Sequence, residues 1–97
     1  MRIAILRNSG SGKSTLAQWL AQRGGAAVLD LDTVAWLPGD EPQRRPLEES
    51  ATELDGFCQR HAHWVIEGCY ASLIAVALQY RPMLIFLNPG VAACEAH

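Results

Sequence analysis

The chain has 97 residues, a net charge of −2 and a hydrophobic content of 49%, which suit a single domain with a modest core rather than a disordered tail. The weak negative charge and the lack of a basic stripe give no signal of nucleic-acid binding. No apolar stretch is long enough to span a bilayer, and the three widely spaced cysteines are typical of reduced thiols. We therefore expect a cytoplasmic protein that does not associate with a membrane.

A glycine-rich segment, residues 7–15, follows an apolar run and precedes a helix-forming run. The apolar run, residues 3–6, is typical of a buried parallel strand, and the helical run, residues 16–23, stops at two glycines. Strand, glycine-rich turn, Lys-Ser and helix are the context in which such a segment binds phosphate through backbone N–H groups and the helix N-terminus. The predicted phosphate-binding residues are Asn8, Ser9, Gly10, Ser11, Gly12, Lys13, Ser14 and Thr15.

Three side chains of this segment determine its predicted chemistry. Lys13 is placed to reach the β- and γ-phosphates of a nucleotide, and the Ser14 hydroxyl is placed to ligate Mg²⁺. Arg7 stands where the phosphate-binding pattern has its first glycine. We expect Arg7 either to strain the turn, if the backbone there needs a positive φ, or to contact a phosphate; of the two, strain is favoured. The alternative for the whole segment is a glycine-serine linker, which the flanking strand and helix disfavour.

The rest of the chain alternates apolar runs with helical patterns, which predicts an α/β protein. After the first helix we predict a strand over residues 26–32, a short helix over 33–37, a loop over 38–46, a helix over 47–62, a strand over 64–67, a helix over 70–80, a strand over 83–88 and a helical start over 91–97. Strand, helix and strand at this spacing predict a right-handed parallel βαβ unit. The proline-rich loop is interpreted as an excursion within one domain.

Two carboxylates end the second predicted strand. Asp30 and Asp32 are two residues apart, so on one strand both side chains point to the same face. They lie at the carboxyl end, where open α/β sheets bind their ligands. There the pair can hold Mg²⁺ through water and orient an attacking hydroxyl. The alternative is that Asp32 caps the next helix and Asp30 is merely exposed.

A second set of candidates follows the third predicted strand and reaches the same edge of the sheet. Gly68 allows the backbone to approach a substrate closely, Glu67 can pair with a basic group or position the substrate, and Tyr70 can contact it. Trp36 is a candidate aromatic contact for the substrate. The alternatives are that Gly68 only ends the strand and that the two aromatic side chains pack in the core.

These segments together resemble bacterial adenylate-kinase-like P-loop proteins, in particular those labelled DNA topology modulation proteins, which are similar to shikimate kinases. The resemblance implies a three-layer α/β/α core with a parallel sheet of order 2-3-1-4-5, ATP and Mg²⁺ as ligands, and phosphoryl transfer to a small-molecule acceptor. It also implies that Asp30 assists Mg²⁺ and that Asp32 binds the acceptor. The matching segments are residues 5–16, residues 29–33 with Trp36, residues 64–70 and residues 85–87.

The chain departs from this family pattern at several places. Arg7 replaces the first glycine, Cys69 stands where relatives usually have Asn, and Asn88 stands where many have Asp. The sequence ends at His97, before the family's lid and fifth strand, so we expect one nucleotide-binding domain over residues 1–97 with sheet order 2-3-1-4. An exposed apolar edge at the last strand then favours a homodimer. Two hypotheses follow: a small-molecule kinase, or a nucleotide-binding module without turnover that acts through partners.

Overall fold

The structure, a computed structural model, describes residues 1–7, 15–37 and 39–87, and within them strands alternate with helices as the sequence predicts. The ends differ from the predicted ones by only a few residues, and the predicted helical start over residues 91–97 lies outside the described residues. The elements are strand β1 (Arg2–Arg7), helix α1 (Thr15–Gly24), strand β2 (Ala27–Asp30), helix α2 (Asp32–Ala35), helix α3 (Leu47–Arg60), strand β3 (Trp64–Gly68), helix α4 (Ala71–Ala77) with a 3₁₀ turn (Leu78–Tyr80), and strand β4 (Met83–Leu87).

The four strands form one parallel sheet in the order β2-β3-β1-β4, which confirms the predicted order for these strands. In the register, Ile5 of β1 and Asp30 of β2 both lie opposite Glu67 of β3. Because all the strands run the same way, their carboxyl ends share one edge of the sheet. The last residues of β1, β2 and β3, which are Arg7, Asp30 and Gly68, therefore come close together.

Helices cover both faces of the sheet, because alternate residues of the central strands point to opposite sides. On one face, Ile3 and Ile5 of β1 pack with Ala17 and Ala21 of α1. The opposite face carries the larger cluster, which contains residues of β1, β3, α2, α3 and α4, among them Ala4, Trp64, Ile66, Val34, Leu54 and Leu73. Among the described helices, α1 is the one that packs on the face carrying the odd-numbered residues of β1, including Arg7.

The two edge strands differ in how well they are covered. Every residue of β2 is partly buried, whereas Met83 and Phe86 of β4 are 64% and 63% exposed. This apolar edge is the feature on which the expected homodimer depends, and the dimer remains a prediction. Among the described residues, no helix has the length and apolar character needed to cross a membrane.

The proline-rich loop folds back on the body of the protein. Trp36 and Arg44 form an isolated antiparallel bridge, and the Leu37 N–H donates to the Gln43 carbonyl at 2.8 Å. Just beyond the bridge, the Arg45 N–H donates to a carbonyl of α2 at 2.9 Å. These bonds hold Trp36 and Arg44 side by side near the carboxyl edge of the sheet.

Candidate functional site

The glycine-rich segment joins two elements whose positions are known. It leaves the carboxyl end of β1 at Arg7 and enters α1 at Thr15. The residues between them lie outside the described residues, so their roles remain predictions: Asn8, Ser9, Gly10, Ser11, Gly12, Lys13 and Ser14. The same holds for Asn88. The site is therefore described through the side chains at the carboxyl edge of the sheet.

Arg7 forms a buried ion pair with Glu67. Its Nε donates to Glu67 Oε1 at 2.6 Å, and the two side chains are only 12% and 2% exposed. Glu67 lies opposite Ile5, and Arg7 lies two residues beyond Ile5, so both side chains are on the α1 face. The expectation of backbone strain at Arg7 is wrong, because Arg81 is the only non-glycine residue with positive φ in the described ranges.

The surroundings of Arg7 keep its guanidinium charged. Burial by itself would lower the pKa of Arg7, but the hydrogen bond to Glu67 and the charges of Glu67, Asp30 and Asp32 outweigh it, so the pKa lies above its ordinary value. Glu67 is 1% exposed, and a carboxylate so deeply buried needs a partner charge. The sequence left open whether Glu67 pairs with a basic group or positions a substrate, and the structure pairs it with the guanidinium of Arg7.

Asp30 and Asp32 are not on one strand, contrary to the sequence interpretation. Strand β2 ends at Asp30, and Asp32 is the first residue of α2. The Asp32 N–H donates to Asp30 Oδ1 at 3.0 Å, and Thr33 Oγ1 donates to the Asp30 carbonyl at 2.7 Å. This side-chain turn replaces the next pair of strand hydrogen bonds and turns the chain into the helix. The alternative that Asp32 caps α2 is also wrong, since the cap residue is Leu31 without a side-chain bond.

Burial raises the pKa of the Asp30 carboxyl above its ordinary value. The neighbouring carboxylates of Glu67 and Asp32 act in the same direction, while the Asp32 N–H and the charge of Arg7 act against it. Asp30 thus lies between the buried ion pair and the start of α2. In the described parts of the chain, no three His, Cys, Asp or Glu side chains gather as a metal site, so Asp30 would need ligands from elsewhere to hold a cation.

Four further side chains near the carboxyl edge of the sheet form a connected group, which we call the Asp32 network: Asp32, Tyr70, Trp36 and Arg44. The Tyr70 hydroxyl donates to Asp32 Oδ1 at 2.5 Å, and Trp36 Nε1 donates to the Tyr70 oxygen at 3.0 Å. The Arg44 guanidinium carbon lies 4.7 Å from the centre of the Tyr70 ring and 5.8 Å from that of Trp36. Three of the four were predicted substrate contacts, and the fold brings them together.

Tyr70 acts in this network as a hydrogen-bond donor. Burial, together with the hydrogen bond to Asp32, raises the pKa of Tyr70 to about 12, while the bond from Trp36 opposes the rise. The phenol therefore keeps its proton at neutral pH and holds one carboxylate oxygen of Asp32 in place. Asp32 and Trp36 are exposed to solvent, so a solute can reach the Asp32 network.

Arg44 is the site residue that the sequence analysis missed. In the sequence it is one of two adjacent arginines, Arg44 and Arg45, for which no role is predicted. Arg45 reaches α3 and pairs with Glu53 at 2.5 Å, whereas Arg44 donates from Nε to the Ala35 carbonyl at 3.2 Å and lies over the two aromatic rings. No salt bridge joins Arg44 to a carboxylate in the described ranges. Nothing in the local sequence distinguishes the two arginines. The backbone bridge between Arg44 and Trp36 is what places Arg44 beside the aromatic rings.

Gly68 is in close contact with Leu31. A Cβ at Gly68 would lie 2.8 Å from the Leu31 Cβ, which is closer than side chains pack. Leu31 is fully buried, and its N–H donates to the Glu67 carbonyl at 2.9 Å. The glycine therefore allows the segment between Asp30 and Asp32 to pack against the end of β3. A direct contact of Gly68 with a substrate remains a prediction.

Comparison with known proteins adds no relative to this description. No model of a protein family matches the chain, and no curated protein matches it. The resemblance to P-loop kinases therefore depends on the sequence of this chain.

Proposed function

We propose that the chain is an adenylate-kinase-like P-loop protein that binds ATP with Mg²⁺ and transfers the γ-phosphoryl group to a hydroxyl of a small molecule. One observation supports this most strongly. The glycine-rich segment connects the carboxyl end of the central strand β1 to the N-terminus of α1, and acidic side chains of β2 and α2 lie at the same edge. Ligands of open parallel sheets bind at this edge.

On the nucleotide side, the backbone N–H groups of residues 8–15 and the Lys13 ammonium would bind the phosphates. The Ser14 hydroxyl would ligate Mg²⁺ directly, and Asp30 would do so through water. Mg²⁺ supplies positive charge to the β- and γ-phosphate oxygens. Asp30 fits this role because it offers a hard oxygen ligand, and only one of its oxygens receives the Asp32 N–H.

On the acceptor side, the Asp32 network would bind the molecule that receives the phosphoryl group. Tyr70 holds Asp32 in one orientation, which prepares its carboxylate to accept the proton of a hydroxyl. The hydroxyl oxygen then forms a bond to the γ-phosphorus while the bond to the leaving oxygen of ADP breaks. Arg44 brings a positive charge to the same side, where negative charge develops.

A transfer assay tests the proposal. ATP labelled in the γ-phosphate is incubated with Mg²⁺ and a panel of hydroxyl-bearing metabolites, using the wild type and Asp32→Asn. We expect labelled product from the wild type and none from Asp32→Asn, with ATP affinity unchanged in the variant. Binding of ATP without any product would favour the nucleotide-binding module, and failure to bind ATP would contradict both hypotheses.

A further inference from the structure

The indole of Trp36 is part of a series of hydrogen bonds that ends on a carboxylate. Its Nε1 donates to the Tyr70 hydroxyl oxygen at 3.0 Å, and that hydroxyl donates to Asp32 Oδ1 at 2.5 Å. Trp36 itself is 38% exposed, so burial alone does not account for where its N–H is directed. The indole therefore does more than fill space beside the sheet.

Separate parts of the fold fix the backbones of the two donors in this series. Trp36 directly follows α2, and the bridge to Arg44 holds it from the other side. Tyr70 directly precedes α4, and its carbonyl accepts the N–H groups of Leu73 and Ile74, both at 3.0 Å. The fold itself thus places the indole within reach of the phenol.

Only one direction of donation fits this series while Asp32 is ionised. An indole N–H is a donor and has no acceptor, and a carboxylate is an acceptor and has no proton to give. The phenol has one proton, so when its oxygen accepts from Trp36 the proton is left for Asp32. Burial and the bond to Asp32 raise the pKa of Tyr70, and the bond from Trp36 acts against them, so the indole makes the phenol a stronger donor.

The Asp32 carboxylate keeps one oxygen for a ligand. Within the described residues, its hydrogen bond from a side chain ends on Oδ1. Asp32 is exposed to solvent, so the lone pairs of Oδ2 remain for an incoming hydroxyl. The series of bonds therefore distinguishes two oxygens that are chemically equivalent in a free carboxylate.

We propose that Trp36 is a positioning residue for proton transfer at Asp32 and that it acts through Tyr70. Its N–H fixes the Tyr70 hydroxyl as the donor to Oδ1, which leaves Oδ2 to accept the proton of the acceptor hydroxyl. This inference rests on the proposed function, in which that hydroxyl oxygen bonds to the γ-phosphorus while the bond to the leaving oxygen of ADP breaks. In this role the Trp36 ring carries the N–H and is not a surface on which a substrate stacks.

A direct substrate contact and a packing role predict other outcomes. If the Trp36 ring contacts a substrate, or only packs beside Arg44, its effect does not depend on the Tyr70 hydroxyl. If Trp36 acts through Tyr70, removal of that hydroxyl also removes the effect of Trp36. A double-mutant cycle of Trp36→Phe and Tyr70→Phe separates these roles, and Phe keeps an aromatic ring at both positions.

The cycle is measured with γ-labelled ATP, Mg²⁺ and glycerol as the probe acceptor. Labelled glycerol phosphate and labelled inorganic phosphate, which comes from transfer to water, are both counted. We expect Trp36→Phe to lower kcat about 3- to 10-fold, the effect of one neutral hydrogen bond, with KM for ATP unchanged. Tyr70→Phe removes the charge-assisted bond and should lower kcat about 10-fold or more, and the double variant should match it.

Trp19→Phe is the matched control for the loss of an exposed indole. Trp19 is 51% exposed and has the guanidinium carbon of Arg23 at 4.5 Å from its ring centre, much as Trp36 has Arg44 at 5.8 Å. Trp19 differs in that its indole N–H donates to no side chain among the described residues. We expect Trp19→Phe to leave kcat unchanged.

Nuclear magnetic resonance gives a second readout that does not depend on activity. The chain has three tryptophans, and the indole N–H signal that disappears in Trp36→Phe is that of Trp36. Tyr70→Phe removes the oxygen that accepts this N–H, so the Trp36 indole proton should move upfield and exchange faster with solvent. The Trp19 signal, assigned in the same way, should stay in place.

The results that would overturn the inference differ from those that would overturn the proposed function. An unchanged Trp36 indole signal in Tyr70→Phe would overturn the inference whatever the activity. An equal loss of kcat from Trp36→Phe with and without the Tyr70 hydroxyl would overturn it in favour of an independent contact of the ring. A wild type that releases no labelled phosphate would overturn the proposed function, and the positioning role with it.

Discussion

Glu67 and Asp32 are two carboxylates at one edge of the sheet, yet their surroundings differ sharply. Glu67 is 1% exposed and pairs with the guanidinium of Arg7 on the α1 face. Asp32 is exposed and accepts a hydrogen bond from the neutral phenol of Tyr70. A buried carboxylate requires a fixed counter-charge, and the two together become part of the framework. An exposed carboxylate held by a neutral donor keeps its charge available to a solute.

Arg7→Gly tests the framework side of this comparison and should have the largest effect. It leaves the Glu67 carboxylate buried without its guanidinium, which should lower the free energy of unfolding by about 3 kcal/mol or more. For a domain of this size, the melting temperature should fall by roughly 12 °C or more. Thermal unfolding followed by circular dichroism measures this. A higher melting temperature would instead mean that glycine relieves strain at position 7.

Gly68→Ala tests the contact between the end of β3 and Leu31, the residue that lies between Asp30 and Asp32 in the chain. The added methyl group would lie 2.8 Å from the Leu31 Cβ, and such overpacking should cost about 1–3 kcal/mol in the free energy of unfolding. Gly56→Ala is the matched control in α3, since its nearest neighbour is the flexible end of Arg60 at 3.2 Å. We expect the control to stabilise the protein by up to about 1 kcal/mol. Denaturant unfolding of both variants checks the contrast, and equal effects would contradict it.

Tyr70→Phe tests the exposed side and should change stability least, by about 1 kcal/mol at neutral pH. The fold raises the pKa of Tyr70 from its ordinary 10.0 to about 12, so the folded state binds the phenol proton more tightly. The resulting stabilisation is complete below pH 10 and is lost as the pH rises through 12. The Tyr70→Phe variant has no phenol proton to release, so its free energy of unfolding should not show this loss at high pH.

The measurement for Tyr70→Phe is the difference in unfolding free energy between wild type and variant across that pH range. The difference is needed because burial raises the pKa of Cys58 to about 11, so its thiol titrates in the same range. Parallel pH profiles for the two proteins would contradict the raised pKa of Tyr70.

The alternation of strands and helices could be predicted because it depends on local composition. The apolar runs of β1, β3 and β4 are separated by helical patterns and turn residues, and the parallel direction of the strands follows from that alternation, whereas their order is what the family resemblance implies. The end of β2 was misplaced for a local reason too. The apolar pattern up to residue 29 fits both a strand that continues through Asp32 and a turn at Asp30. The hydrogen bond from the Asp32 N–H to the Asp30 side chain distinguishes the two, and the sequence pattern does not reveal it.

The partners of charged side chains could not be predicted from the sequence, since they are distant along the chain. Arg7 was weighed as a source of strain or as a phosphate ligand, whereas its partner Glu67 is 60 residues away. Arg44 reached the site because the loop pairs it with Trp36, and a loop of prolines and charges gives no sign of such pairing. Whether a segment is a helix or a strand thus follows from its own sequence. The partner of a charged side chain follows from how the elements assemble in the fold.

The affinity of the chain for ATP with Mg²⁺, compared between the wild type and Lys13→Ala, tests the central claim most directly. Charge-assisted hydrogen bonds contribute about 1.5–3 kcal/mol, so we expect the variant to bind about tenfold or more weakly. Arg23→Ala is the control, because it removes one positive charge from the last turn of α1, where Arg23 lies 4.5 Å from the Trp19 ring centre. The predicted result is affinity that falls about tenfold or more in Lys13→Ala and is unchanged in Arg23→Ala. Equal affinities of wild type and Lys13→Ala would contradict the assignment of residues 8–15 as a phosphate-binding loop.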